Sequence, residues 1–405
     1  SPRGREAAAI GASDAHASPR PRQSREAAAD VAGDDAQARR RRPEDDVVHF
    51  EWQPGQILDS RYELTRHLGD GAFGRVLLAR DRREGREVAL KIIRDVERYV
   101  KHAKVEAQIL DDLRKADPDG GSRCVMMYET FVHESKHFCM SFEPLGTSLC
   151  EFLEANGLRG FFLEDIQAIV RQTLEALRFL HDKLFLTHTD LKPENILLCS
   201  AGPPKPAFFP RGDFQPPPPE VIRGAPYVRP ASTEVRLIDF GNATYVEMHH
   251  STVVSTRQYR APEVVLEAGW SEKCDLWSLG CIVAELYTGR LLFNTHESLE
   301  HLALMERAVG PLPQALLKRA SGRARRRFIT RDEPAESLRL CWPDAASSED
   351  SVYRVCSQWS LAELVPDEHA ALVGLLASLL TLDPAQRPDA KELLGCPFLS
   401  ATCGE

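Results

Sequence analysis

The ten cysteines of this 405-residue chain include no Cys-x-x-Cys pair and follow no regular spacing. That argues against a disulfide framework and for a reducing compartment. Cys124, Cys139 and Cys281 lie inside apolar runs, where they read as small buried hydrophobes. No uninterrupted apolar stretch approaches the ~18–20 residues that a membrane span needs. The first residues, Ser1-Pro2-Arg3-Gly4-Arg5, show neither an initiator Met nor an apolar signal core, so the expectation is a fragment of a soluble, intracellular chain. An excess of positive charge is also missing. The formal net charge is −9, and residues 1–46 are neutral, with nine Arg and nine acidic residues. Removing nine from the totals of 51 basic and 60 acidic residues leaves 42 against 51, so the remainder carries the whole imbalance. An acidic body argues against nucleic acid as the main partner and suits a basic one.

With 43% hydrophobic and 27% charged residues, the chain has the balance of an ordinary globular protein, and its length allows two lobes with their own cores. Residues 1–46 hold almost no large apolar side chain and read as a disordered tail. Residues 47–61 form an N-terminal extension in which His49–Trp52, a Pro54-Gly55 turn and the run up to Asp59 read as strand, turn and strand. From Tyr62 to about residue 146, short β-branched runs alternate with turns around one helical stretch near Val96–Leu113. From residue 147 to Phe398 helical periodicity takes over, as in Ile166, Ile169, Val170, Thr173, Leu174 and Leu177. Residues 201–232 interrupt it with ten prolines, four of them consecutive at Pro216–Pro219. Such a run stays extended and exposed, and between the strand-like segments at Leu198 and Val235 it reads as an insert on a hairpin. Residues 399–405 form a short C-terminal tail.

Six short motifs carry chemistry. Leu68-Gly69-Asp70-Gly71-Ala72-Phe73-Gly74-Arg75-Val76 fits a glycine loop that folds over phosphates and aims N–H groups at them. The same glycine spacing also opens dinucleotide-binding folds, but there a helix follows, whereas Val76–Ala79 continues as strand. Val88-Ala89-Leu90-Lys91 places a lysine at the end of an apolar strand. It is either a snorkelling surface residue or, given its spacing after the glycine loop, the ammonium that holds α- and β-phosphates. Glu106 on the next helix is its best carboxylate partner, with Glu97 and Asp111 as alternatives. In His188-Thr189-Asp190-Leu191-Lys192-Pro193-Glu194-Asn195, Asp190 would accept a hydroxyl proton, Lys192 would neutralise the moving phosphoryl group and Asn195 would ligate a metal. Asp239-Phe240-Gly241 follows an apolar strand and supplies a second metal ligand, and Ala261-Pro262-Glu263 closes the segment after it. Asp275 should be buried and tether the catalytic loop, and Arg387 should pair with Glu263.

In this order and spacing, the motifs resemble the eukaryotic protein kinase superfamily over roughly Tyr62–Phe398. The resemblance implies an α+β, bilobal fold: a small β-rich lobe at residues 62–146 and a large helical lobe at residues 147–398, with ATP and Mg2+ between them. A narrower resemblance lies in Glu300-His301-Leu302-Ala303-Leu304-Met305-Glu306-Arg307, similar to the signature of the LAMMER, or CDC-like, kinases with Leu304 replacing a Met. Thr187–Asn195, Asp239–Thr244 and His249–Glu263 also read as that family's segments. Alignment by motif makes Phe142 the gatekeeper and places Glu143–Leu145 in the hinge. The Glu143 carbonyl and Leu145 N–H would serve adenine, so Pro144 removes no needed donor. Leu68, Val76, Ala89, Leu197 and Ile238 would supply apolar walls.

The family resemblance implies phosphorylation of Ser and Thr, with some Tyr, in Arg/Ser-rich splicing factors. Neither direct nucleic-acid binding nor a membrane is expected, and a monomer is. Thr189 stands where most kinases carry an arginine, so the cation that clamps a phosphorylated activation segment is missing there. Arg39–Arg42 reads equally as a nuclear address or a solvated charge cluster, which leaves nucleus and cytoplasm both open. The basic run Lys318–Arg327 reads as surface. Two other readings compete: a kinase branch with proline-directed substrates, and a partner-binding pseudokinase, which typically lacks one of Lys91, Asp190, Asn195 or Asp239.

Overall fold

Period-two alternation of apolar side chains builds the first half of the protein. In the computed structural model, which describes residues 49–209, 211, 226–248, 251–332 and 337–401, strands β1 (Ile57–Leu58), β2 (Tyr62–Asp70), β3 (Gly74–Asp81), β4 (Arg86–Ile93), β5 (Met127–His133) and β6 (His137–Phe142) form one sheet in the order β1-β2-β3-β4-β6-β5. Helix α1 (Glu97–Ala116) connects β4 to β5. Parity decides what each residue of β4 does. Val88, Leu90 and Ile92 face an outer cluster with Leu58, Tyr62, Leu64 and Leu77. Ala89 and Ile93 belong to the opposite cluster, which includes α1 and continues into the helical lobe. Lys91 shares their parity and so points toward the lobe interface.

The second half is helical: α2 (Leu149–Ala155), α3 (Leu163–Lys183), α4 (Pro262–Val265), α5 (Lys273–Thr288) and α6 (Ser298–Val309), followed by α7 (Gln314–Arg319), α8 (Gly322–Phe328), the hairpin β13 (Ile329–Asp332) and β14 (Ser337–Leu340), then α9 (Glu349–Cys356) and short helices to Ser400. Helix α5 is buried from Cys274 to Tyr287, as expected of a helix apolar on every side. The small strands β7 (Leu186–Thr187), β8 (Ile196–Leu198), β11 (Val235–Leu237) and β12 (Thr244–Tyr245) lie over this base. β8 pairs antiparallel with β11, and β7 with β12. Cys124, Cys139 and Cys281 are free and buried. Among the described residues, no helix is long and apolar enough to cross a membrane.

Two expectations need correction. His49–Trp52 forms no strand, although the Pro54-Gly55 turn is present. Phe50 instead meets His133 and His137 edge-on, and its carbonyl accepts from Arg75 Nη1 at 2.9 Å, so that backbone group is satisfied by a side chain rather than a neighbouring strand. The insert at 201–232 is also more than an exposed run. Within it β9 (Lys205–Ala207) pairs with β10 (Tyr227–Arg229). Tyr227 donates to the Gly160 carbonyl at 2.8 Å, and the buried Arg211 donates to the Phe161 and Tyr287 carbonyls. The described part of the insert is therefore docked on the helical lobe. Pro216–Pro219 and the expected tail at 1–46 lie outside the described residues.

Candidate active site

Lys91, Glu106 and Asp239 converge where the two lobes meet. Register across the sheet sets Lys91 opposite Val76 on β3 and Met140 on β6. Its Nζ reaches both oxygens of Glu106, at 2.7 and 2.8 Å. The alternatives face away: Glu97 pairs with Lys101, and Asp111 with Arg114 and Lys115, all on the helix surface. Burial alone would pull the Lys91 ammonium down, but Glu106 and Asp239 outweigh it and hold its pKa above the ordinary value. The same burial pushes the Glu106 carboxyl up, with Lys91 pulling against it. The two-oxygen contact is that of an ammonium with a carboxylate.

The catalytic-loop segment is held from below by one carboxylate. Asp275 accepts from the backbone N–H of His188 at 2.8 Å and of Thr189 at 2.9 Å, and its Oδ2 lies 2.9 Å from His181 Nε2. His188 Nδ1 accepts from the Asp190 N–H at 3.3 Å, which makes Nε2 the donor to the Ile238 carbonyl at 3.1 Å. That bond ties the loop to the residue before Asp239. Lys192 Nζ lies 2.8 Å from Asp190 Oδ2, and Thr256 holds Oδ1 through its backbone N–H at 3.0 Å and its hydroxyl at 2.7 Å. Burial would raise the Asp190 carboxyl, but Lys192 and the Thr256 hydroxyl outweigh it, so its pKa is lowered and it is ionised near neutrality. Arg387 and Glu263 form a fully buried two-bond pair at 2.7 and 3.0 Å, as expected.

The glycine loop divides by role. A Cβ at Gly74 would run into the Ile92 carbonyl, so that glycine is required by close strand packing. At Gly69 a Cβ would meet nothing within 4 Å, and at Gly71 only the Gly74 carbonyl at 3.8 Å. Those two leave room above the loop. Phe73 at its tip lies edge-on to Tyr99, at 5.3 Å, and parallel to His102 on α1. Along the hinge, Ala89 faces Phe142 across the sheet. Leu68, Val76, Leu145 and Ile238 are half-buried against the core, and Leu197 is likewise half-exposed. The Glu143 carboxylate accepts from the Met126 N–H at 2.9 Å, and among the described residues its backbone carbonyl and the Leu145 N–H have no hydrogen-bond partner.

The motif segments thus come together as expected, and the comparisons agree. The protein kinase domain family matches residues 62–399. Serine/threonine-protein kinase AFC2 of Arabidopsis thaliana is 42% identical over 364 residues, covering 89% of this chain and 81% of that protein. Dual specificity protein kinase CLK1 of Homo sapiens is 41% identical over 357 residues, covering 88% and 69%. The crystal structure of the PF14_0431 kinase domain matches with a TM-score of 0.77 at 38% identity, covering 88% of this chain and 100% of that one. The chain belongs to the LAMMER, or CDC-like, family of protein kinases.

Membership implies that the kinase uses ATP and a divalent cation. Asn195 and Asp239 fit a cation of that kind. Asn195 Nδ2 is spent on the Asp190 carbonyl at 2.9 Å, which leaves its amide oxygen as an acceptor. Asp239 is held at a left-handed φ of 65°, beside Lys91 and Glu106. Among the described residues no group of three or more His, Cys, Asp or Glu could hold a metal. Two oxygen donors suit a cation that completes its shell with phosphate oxygens and water.

Sequence reasoning missed Thr256, His181 and the environment of Tyr259. Thr256 lies within the family-like segment His249–Glu263, but nothing in its spacing reveals a contact with Asp190 66 residues away. Tyr259 donates to Glu285 on α5 at 2.7 Å, and the pair lies near Glu194 and Cys150. Burial pushes Glu285 up to about 7, with Tyr259 partly countering and Glu194 adding to the rise.

Proposed function

We propose that this kinase transfers the γ-phosphoryl group of ATP, with Mg2+, to Ser and Thr hydroxyls, and to some Tyr, in basic Arg/Ser-rich proteins of the splicing-factor kind. When bound, nucleotide and cation supply the transferable group and the charge that neutralises it. In this reading, Lys91, aligned by Glu106, holds phosphate oxygens, and the N–H groups around Gly69, Gly71 and Gly74 cover them. Asn195 and Asp239 hold the cation. Asp190 orients the incoming hydroxyl and takes its proton late, because a carboxylate with a lowered pKa is a weak base. Lys192 offsets charge beside it. The Glu143 carbonyl and Leu145 N–H receive adenine between Leu68, Val76, Ala89, Leu197 and Ile238, behind Phe142.

One observation carries the substrate class. Glu194, four residues past Asp190, is exposed, and it joins the exposed Glu154 and Glu151 around Cys150. A substrate arriving at Asp190 meets this negative cluster on a body that is itself acidic, which favours basic residues beside the acceptor hydroxyl. The kinase is inferred to act as a monomer in the nucleus or cytoplasm. The test is phosphate transfer to an Arg-Ser repeat peptide and to a proline-directed peptide, with Asp190→Asn as control. Transfer to the Arg-Ser peptide, lost in the variant, is expected. Preference for the proline-directed peptide would remove the substrate reading but keep the kinase.

A further inference from the structure

The run Lys318–Arg327 holds six cations and no acidic residue on a body of opposite net charge. Structure turns it into one face. In α8, Ala324 and Phe328, four apart, are buried, while Arg323, Arg325, Arg326 and Arg327 are exposed. In α7, Leu316 and Leu317 are buried, while Lys318 and Arg319 are exposed. Among the described residues, Lys318, Arg319, Arg323, Arg325 and Arg326 have no carboxylate partner. Arg319 and Arg325 donate instead to the carbonyls of Ala268 and Lys318. Like charges gathered without counter-charges are held at an electrostatic cost that a core does not require.

Position supplies the second argument. Ser321, between the two helices, is clamped to the segment directly after Ala261-Pro262-Glu263. Its N–H donates to the Leu266 carbonyl at 3.0 Å and its hydroxyl to Glu267 at 2.8 Å, while Arg319 reaches Ala268. The basic face is thus fastened to the end of α4, the helix that closes the segment containing Thr256 and Tyr259.

We propose that this face docks phosphoserines of an Arg/Ser-rich substrate that has already been phosphorylated at other positions. The proposal rests on the substrate class inferred above. Guanidinium and ammonium groups recognise phosphate through charge-assisted hydrogen bonds. Mixed charge decides between phosphoprotein and nucleic acid. A uniformly anionic RNA strand would be repelled by the acidic remainder of the protein. A chain alternating arginine with phosphoserine complements both signs, phosphates on the basic face and arginines on the acidic cluster near Asp190.

The experiment is fluorescence anisotropy on the full chain with labelled Arg-Ser repeat peptides, one unphosphorylated and one carrying phosphoserine at alternate serines. The variant Lys318→Gln/Arg323→Gln/Arg326→Gln removes three exposed charges whose side chains make no hydrogen bond among the described residues. Lys318→Arg/Arg323→Lys/Arg326→Lys keeps the charge and serves as the rescue. The parent should bind the phosphopeptide more tightly than its unphosphorylated form. The Gln variant should lose roughly tenfold of the phosphopeptide affinity, as expected for three partly solvated ion pairs. Its affinity and kcat for the unphosphorylated peptide should stay unchanged, and the rescue variant should match the parent. Equal phosphopeptide binding by parent and Gln variant would overturn the proposal. So would a larger loss for single-stranded RNA than for phosphopeptide, which would assign the face to nucleic acid. Binding is read without turnover, so failure of the parent to phosphorylate the Arg-Ser peptide would count against the substrate class alone.

Discussion

The hydroxyl of Thr189 donates a 2.8 Å hydrogen bond to the carbonyl of Asn242, three residues after Asp239. Thr189 itself sits at a φ of 67°, with its N–H on Asp275. The position that would otherwise carry a phosphate-clamping arginine is therefore used to tie the catalytic loop to the start of the activation segment. Further along, Tyr245 reaches Asp112 on α1, Trp270 donates to the Ser251 carbonyl, and Thr256 holds Asp190. These bonds order the described part of the segment without any phosphate.

Activity is accordingly expected to survive removal of activation-segment phosphate. Phosphatase-treated kinase, with its dephosphorylation checked by mass spectrometry, should keep most of its rate. Loss of nearly all activity would sink the idea.

The Lys91–Glu106 pair gives a sharper expectation. Glu106→Gln removes the carboxylate that aligns the ammonium, and kcat/KM should fall about 10²-fold, the scale of one lost charge-stabilising group. Asp190→Asn should cost about 10³-fold, within the range for a general base. Steady-state kinetics of both variants, with unchanged circular dichroism, would check this.

Stability should depend strongly on a pair far from the chemistry. Arg387 and Glu263 are both fully buried, so Glu263→Ala leaves an uncompensated guanidinium. A cost of about 3–5 kcal/mol follows, which corresponds to a fall in Tm of about 10 °C for a domain of this size. A calorimetric shift of only a degree or two would mean that the site relaxes or admits water.

Glu285 predicts a pH effect. Its folded pKa of about 7 lies above the ordinary glutamate value of 4.5, so between those limits the folded state binds more protons than the unfolded one. Stability contributed by this group is present below about 4.5 and is lost as pH rises toward 7, by about 3 kcal/mol in all. Relative to the parent, Glu285→Gln should gain Tm as pH is raised from 5 to 7.5. Parallel Tm–pH curves for the two proteins would show that the carboxyl does not titrate this way.

The sequence by itself determined where the chemistry-bearing groups lie, because most of them occur in short motifs whose members are covalent neighbours. His188–Asn195 and Asp239–Gly241 have few ways to be arranged once their flanking strands are recognised, and β4 parity alone turns Lys91 inward with Ala89. Tertiary structure decided what depends on distant packing. It selected Glu106 over Glu97 and Asp111 by the face α1 turns to the sheet, and it brought Thr256 to Asp190 and His181 to Asp275. It drew His49–Trp52 off the strand expected there, because the Phe50 ring and carbonyl found side-chain partners. It also fastened the basic run Lys318–Arg327 beside Leu266–Ala268. Such contacts join residues tens of positions apart, where only the shape and desolvation of the folded core set which groups meet and what charge they keep.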